Sequence, residues 1–360
     1  MNSYFLCRSQ YENLGDLIIN KMLVDELCRY GNVYIDILNI PEEFSQPLFQ
    51  NPNTLNPKEE LGTFDLKNKK ARIKLLRFLK KKHISIITES PGPTFSLKPL
   101  NRRSLISIRL WNLLYYIFGV RTVFIGKCCS NLIPNKVKVG DTFVSEYYLR
   151  SKESVDYLST QVPSKKVKYI PDLCFLLKYY VSPSLPKKKI AALDIRLIEG
   201  KETYLKNWCR QIVQDLIRQS FEVVVYYQVE RDFSIAKDLY DYLSDLGVQF
   251  RENIVWYDDM SFYSDKMFVI SNRLHSLLLG AIYGVFPICL YNEALSTLKL
   301  KHVIKTSFDS DLPILWDNGE RPQTPYEDLY HTYCEKLNEE VNRNAELCRD
   351  IIENIANHNK

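Results

Sequence analysis

Glycine is scarce, at 12 of 360 residues, and none of it stands in a pattern that holds nucleotide phosphates. There is no G-x-x-x-x-G-K-[ST] and no G-x-G-x-x-G after a strand, so neither a P-loop nor a dinucleotide fingerprint is present. G-x-S-x-G and H-E-x-x-H are missing too, which counts against serine hydrolysis and zinc proteolysis. The nine cysteines are scattered, with only Cys128 and Cys129 adjacent, and no C-x-x-C spacing occurs. They read as reduced thiols, mostly core residues, and no cluster suggests a metal. No uncharged apolar run reaches the roughly 18 residues a membrane-spanning helix needs. The opening residues lack a basic segment followed by an apolar one, so a signal peptide is not expected and the expected compartment is the cytoplasm.

Hydrophobic residues make up 46% and charged residues 25%, values that exclude a disordered or fibrous chain. The length suits roughly two domains. Tyr (24) and Phe (17) are abundant and point to β-rich cores and to surfaces able to stack on sugar-like ligands. Charge is uneven. Residues 1–180 carry 27 Lys+Arg against 16 Asp+Glu, whereas 181–360 carry 21 against 27. Within Lys58–Arg150 there are 19 basic and 6 acidic residues. A basic field on one half suggests an anionic partner, although many charge runs are only solvated helix faces. With no helix-turn-helix, RNP or zinc pattern, nucleic acid is the least favoured partner.

Periodicity predicts alternating elements. In the first half the strands are Ser3–Ser9, Val33–Leu38, His83–Thr88, Arg121–Lys127, Thr142–Leu149 and Val167–Leu177. The helices are Gly15–Tyr30, Lys67–Lys82, Asn101–Gly119 and Lys152–Thr160, and the Pro- and Asn-rich stretch 39–61 reads as a loop. Tyr179–Lys189, with Ser182-Pro183-Ser184, reads as a linker. The alternation restarts with strands Ile190–Arg196, Phe221–Tyr227, Met267–Ser271 and Phe286–Tyr291. Between them lie helices Glu202–Gln219, Ser234–Leu246 and Leu274–Tyr283, and a long polar helix follows over Pro325–Asn357. The expected fold class is therefore α/β, two Rossmann-like domains facing a cleft, over residues 1–180 and 187–320, with a C-terminal helix within 325–360.

In such sheets ligands bind beyond the carboxyl ends of strands, so the strand-to-helix turns are the places to search. Asn13-Leu14-Gly15-Asp16 places a glycine and a carboxylate at a helix start, where anions are favoured and where Asp16 can equally serve only the helix dipole. Ser271-Asn272-Arg273-Leu274-His275 follows a buried strand. It supplies a planar cation suited to carboxylate or phosphate and a group that exchanges protons near neutral pH. Of the five histidines, only His275 stands at such a turn. Arg150, at the end of another strand, reads by itself as a surface arginine.

Taken in order, these turns resemble the polysaccharide pyruvyl transferase family. Asn13, Gly15 and Asp16 match its opening pattern. Arg150, Ser154 and Leu158 match an Arg-x-x-x-Ser passage, and Asp172, Phe175 and Leu176 a later strand. Arg273-Leu274-His275 with Gly284-Val285-Phe286-Pro287 matches its most recognisable element. The likeness spans about residues 1–300, with two departures: Ser90-Pro91-Gly92-Pro93 replaces a frequent glycine pair, and Ala294 stands where a lysine is frequent.

The resemblance implies a GT-B-like arrangement and transfer of the enolpyruvyl unit of phosphoenolpyruvate to two hydroxyls of one sugar, giving a pyruvate ketal. It implies Arg150 and Arg273 as anion-holding residues and His275 as general acid. Asn13, Gly15, Asp172 and Ser271 would line the substrate. The proton from the sugar hydroxyl would go to His275, Asp16 or Asp172. No cofactor or metal is implied beyond the donor itself. The acceptor would be a surface polysaccharide or its lipid-linked precursor. Independently, the basic Lys67–Lys82 helix and the apolar Arg102–Gly119 stretch are able to rest on an anionic membrane, although the second stretch reads more readily as a core helix. A GT-B-type glycosyltransferase using a nucleotide sugar is the alternative, and it shares the aromatic content and the basic anion site.

Overall fold

The computed structural model describes residues 1–36, 40–62, 69–93, 102–129, 143–181, 185–291, 298–317 and 324–358. The chain divides into two compact units. The first holds Met1–Tyr11, Asp16–Leu173 and Leu347–Lys360, the second Glu12–Gly15 and Cys174–Glu346. The division falls between Leu173 and Cys174, ahead of the expected linker. Of that linker, Ser182-Pro183-Ser184 lies outside the described residues. Lys187 donates to the carbonyls of Ser264 (2.8 Å) and Tyr283 (2.7 Å), so this part of the stretch is built into the second unit.

The first unit has an 8-stranded parallel sheet. Its strands are β1 (Asn2–Leu6), β2 (Val33–Asp36), β3 (Thr54–Leu55), β4 (Ile84–Glu89), β5 (Gly92–Pro93), β6 (Arg121–Cys128), β7 (Val144–Leu149) and β8 (Val167–Tyr169). They run in the order β3-β2-β1-β4-β6-β7-β8, with β5 also on β6. The central β1 pairs with β2 in the register Ser3↔Val33 and with β4 through Phe5↔Thr88. Such strands are apolar on both faces because helices cover both. On one face, helices Lys69–Lys81 and Arg102–Ile117 bury Leu75, Leu76, Phe78, Leu79 and Tyr115 against Tyr4, Tyr34, Ile84 and Ile87.

The second unit has a 6-stranded parallel sheet in the order β11-β10-β9-β12-β13-β14. These strands are β9 (Lys188–Asp194), β10 (Glu222–Val225), β11 (Gln249–Phe250), β12 (Lys266–Ser271), β13 (Phe286–Tyr291) and β14 (Leu315–Asp317). Every residue of β12 and of β13 is buried. The expected α/β class with two Rossmann-like parallel sheets is thus present.

Three expectations need correction. The strand Val167–Leu177 ends at Tyr169, and Leu173–Tyr179 turns as a 3-10 helix. Pro171 can donate nothing to a ladder, and the following Leu173–Leu177 run is buried on all sides, which suits a buried turn as well as a strand. The loop over 39–61 holds helices Glu42–Leu48 and Lys58–Leu61 and the edge strand β3, with Pro41 and Pro57 each standing just before a helix. Proline costs little at a helix start, because its missing N–H would have no helical partner there. Helix Leu298–Ser307 and the edge strands β11 and β14 were not expected. The long C-terminal helix runs Tyr326–Asn357, and its residues from Leu347 onward belong to the first unit.

Candidate active site

In the second unit the ends of β9 and β12 lie side by side, with Ser271 opposite Asp194. The Ser271 hydroxyl donates to the Asp194 carbonyl (2.5 Å) and accepts from the Arg273 amide (2.9 Å), tying the turn to the neighbouring strand. The Asn272 side chain accepts from the Arg196 amide (2.8 Å) and donates to its carbonyl (2.9 Å). Four hydrogen bonds therefore hold the turn before the helix Leu274–Ile282 begins. That helix is buried from His275 to Ile282. A Cβ on Gly280 would lie 2.3 Å from Val269 Cγ1, so only glycine lets the helix sit this close to β12.

Arg273 projects between two carboxylates. It pairs with Asp232, and its Nε is 3.9 Å from Asp194. Asp194 also accepts the Ser276 hydroxyl. Burial pushes the Asp194 carboxyl up to about 6, against the pull of Arg273 and Ser276. Burial likewise raises Asp232, with Arg273 opposing. Behind Asp194, buried Tyr226 and Tyr263 share a hydrogen bond (3.2 Å), and Tyr263 donates to Gln228 Oε1 (3.2 Å).

His275 meets a segment distant in sequence. Asn13 forms an antiparallel bridge with Val229, the Leu14 amide donates to the Gln228 carbonyl (3.2 Å), and Arg231 pairs with Glu12 (2.7 Å). Asn13 Oδ1 accepts the Gly15 amide (3.0 Å), which shapes the turn. A Cβ on Gly15 would lie 2.1 Å from His275 Nδ1 and 2.4 Å from its Cβ. The imidazole thus packs directly on the Gly15 backbone, a position that any side chain there would take.

Asn13, Gly15, Ser271, Arg273 and His275 are therefore gathered in one unit. Asp16 belongs to the other, where it accepts from the Ser9 hydroxyl (3.0 Å) and the Gln10 amide (3.1 Å). Arg150 corrects the surface reading: it is 2% exposed and donates to Asp172 (2.6 Å), which is fully buried. Burial works against the Arg150 charge, but Asp172 outweighs it and the guanidinium is held above its ordinary value. The Cys348 thiol lies on the Asp172 carbonyl (3.8 Å). Ser151 caps the helix Lys152–Ser159, and the Ser154 hydroxyl accepts the Cys129 amide (3.2 Å). Ala294 lies outside the described residues.

Sequence reasoning missed Asp194, Asp232 and Ser276. Asp194 had a signal, a carboxylate closing the apolar run Ala191-Ala192-Leu193 at a strand end. Asp232, in a short 3-10 turn, had none. Among the described residues no group of three or more His, Cys, Asp or Glu side chains could hold a metal ion.

Residues 142–293 match the model of a family described as polysaccharide pyruvyl transferase. The match contains Arg150, Asp172 and the Arg273-Leu274-His275 turn, and is narrower than the likeness read from the motifs. A comparison with curated proteins finds no match. Among solved structures the chain is similar to UDP-GlcNAc 2-epimerase from Neisseria meningitidis bound to UDP-GlcNAc, at 11% identity and a TM-score of 0.59, covering 98% of this chain and 99% of that one. It is also similar to a glycosyltransferase from Rickettsia africae, at 10% identity and TM-score 0.58, covering 99% and 97%. The S. aureus MnaA–UDP structure matches at 11% identity and TM-score 0.54, covering 97% and 91%. At these identities the likeness is one of fold, and the fold is GT-B-like.

Proposed function

We propose that this chain is a ketal-forming pyruvyl transferase, moving the enolpyruvyl group of phosphoenolpyruvate onto a sugar of a surface polysaccharide or its lipid-linked precursor. The observation that carries the reading is the Arg273-Leu274-His275 turn. It lies inside the segment matched by the polysaccharide pyruvyl transferase model, and its guanidinium and imidazole stand at the carboxyl end of a buried strand.

The reaction needs a cation for a carboxylate or phosphate and a proton donor for the methylene carbon. Arg273 is the anion-holding group in this reading. A doubly charged phosphate competes with Asp232 for the guanidinium, and burial, by disfavouring the ionised form of Asp232, eases that exchange. His275 delivers a proton to the methylene carbon as positive charge grows on its neighbour. One sugar hydroxyl then attacks that neighbour, phosphate leaves from the resulting tetrahedral carbon, and the second hydroxyl attacks the same carbon to close the ketal. The proton lost by the first hydroxyl returns to His275, which shares a unit with Arg273, and that of the second leaves with the phosphate; Asp16 and Asp172 belong to the other unit, and the Asp172 carboxylate is engaged by Arg150. Arg150 correspondingly acts as a structural cation holding Asp172.

Incubation with phosphoenolpyruvate and candidate glycoside acceptors tests the reading by phosphate release and by the appearance of a ketal. His275→Ala and Arg273→Ala are each expected to lower turnover by about 10²–10³ with the fold retained. Turnover like that of the parent in His275→Ala removes the imidazole from the mechanism. Thermal stabilisation by a uridine or guanosine diphosphate sugar, and none by phosphoenolpyruvate, would turn the assignment to a glycosyltransferase.

A further inference from the structure

Helix Arg102–Ile117 in the first unit buries one side only and leaves several of its described apolar residues exposed, where a core helix would cover them. Its inner face is Asn112 and Tyr115, with Trp111 and Leu114 packed against the cluster of Tyr4, Tyr34, Leu75 and Phe78. Its outer face carries Ile106 (58% exposed), Leu110 (49%) and Ile117 (64%), with half-buried Leu113 between them. The spacing 106, 110, 113, 117 is one stripe of an α-helix. Tyr116 (66%) and Phe118 widen it. Monomeric soluble proteins rarely leave a contiguous apolar patch of this kind uncovered without an interaction to explain it.

The neighbouring helix Lys69–Lys81 packs on the same cluster, so the two outer faces belong to one side of the sheet. That second face is basic: Lys74, Arg77, Lys80 and Lys81 are exposed beside Ile73. Lys74 donates to the Leu61 carbonyl and Lys81 pairs with Glu60, whereas Arg77 and Lys80 form no ion pair among the described residues. Arg109 adds a further exposed cation, 6.0 Å from the Phe143 ring. This surface lies within Lys58–Arg150, the span with 19 basic and 6 acidic residues. An aliphatic stripe with aromatic neighbours, bordered by cations, is the composition that rests in the headgroup region of an anionic bilayer. A second copy of the chain fits poorly, since two such faces would bring like charges together.

We infer that the outer faces of helices Arg102–Ile117 and Lys69–Lys81 form a docking surface for an anionic lipid membrane. The stripe enters the interface and the cations hold the headgroups. No helix of the described residues is long and apolar enough to cross a membrane, so attachment by this surface is peripheral. The inference does not depend on the proposed catalysis, because its test needs no substrate.

Co-sedimentation of the full chain with vesicles of phosphatidylcholine alone, and of phosphatidylcholine with equimolar phosphatidylglycerol, checks it. The chain is expected to sediment with the anionic vesicles only, and less so as salt is raised. The triple variant Ile106→Asp, Leu110→Asp, Ile117→Asp is expected to stay in the supernatant. Arg77→Ala and Lys80→Ala should each weaken binding by roughly five-fold. All these positions are exposed, and unchanged circular dichroism and melting establish that the variants are folded. Absence of binding to anionic vesicles, or binding undiminished by the triple substitution, overturns the inference. So does a parent dimer that the triple variant converts to monomer, since the stripe would then be a contact between copies.

Discussion

Arg273 lies 3.9 Å from Asp194 and pairs with Asp232, and neither carboxylate was visible as a partner from spacing. The three groups share one patch of low dielectric, where burial disfavours the ionised form of each acid and the cation between them opposes that shift. Asp194 shows the effect most clearly, its carboxyl pushed from 3.8 up to about 6 by burial. Its folded state therefore holds a proton that the unfolded chain releases. The sign follows: this group contributes most to stability below about pH 4, and the contribution is lost as pH rises to about 6. Asp194→Asn, which cannot titrate, is expected to flatten that decline when melting temperature is followed between about pH 4 and pH 7. Parallel curves for parent and variant would show that Asp194 does not titrate there. Gly15 makes a related point about space. A glycine at a helix start reads as backbone freedom for a ligand, yet here the room is taken by the His275 ring.

Strands β7 and β8 end beside one another, and the Arg150–Asp172 pair joins their exits inside the first unit. Both side chains are out of water, so each depends on the other to offset its desolvation. Asp172→Asn is expected to lower unfolding free energy by about 3–5 kcal/mol, because it strands a buried guanidinium. The double variant Arg150→Met, Asp172→Leu should recover most of that loss in urea titrations. A double variant no more stable than the single one would mean that the pair contributes more than charge compensation. At this scale the sequence was readable where apolar runs were long. The β12–turn–helix passage 266–282 and the strand β13 were expected nearly as they stand. The two-residue strands β3 and β11 were not, since edge strands this short carry no period to detect. Arg150 was misjudged because the residue that neutralises it is supplied by another strand's exit.

The two units each rest on chain segments remote from their main span. The second is completed by Glu12–Gly15, and the first by Leu347–Lys360. In the first unit, Arg349 faces Glu26 (3.4 Å), Arg121 donates to the Ile355 carbonyl (3.1 Å) and the Cys348 thiol lies 3.5 Å from the Pro171 carbonyl. Cys348, Ile352 and Ile355 are fully buried. Removing residues 347–360 uncovers apolar surface worth about 1.5–3 kcal/mol per large side chain, a sizeable part of ordinary domain stability. Chain termination after Glu346 is expected to make the first unit sensitive to proteolysis at temperatures where the parent resists. An unchanged digestion pattern would mean that the C-terminal segment contributes little to that unit.

Alternating apolar runs and amphipathic helices determined the class of fold, because parallel strands covered on both faces must be apolar throughout and the helices between them must be apolar on one side. The same local rule pointed to the turn at Arg273 and His275. Which groups stand around that turn was decided only in three dimensions. Asp194, Asp232 and Gly15 reach it from positions separated by scores of residues in the chain, and burial then sets their charge and the space they leave. The exposed stripe on helix Arg102–Ile117 was decided there too: periodicity reveals an apolar face, but only the packed neighbours determine whether that face is covered.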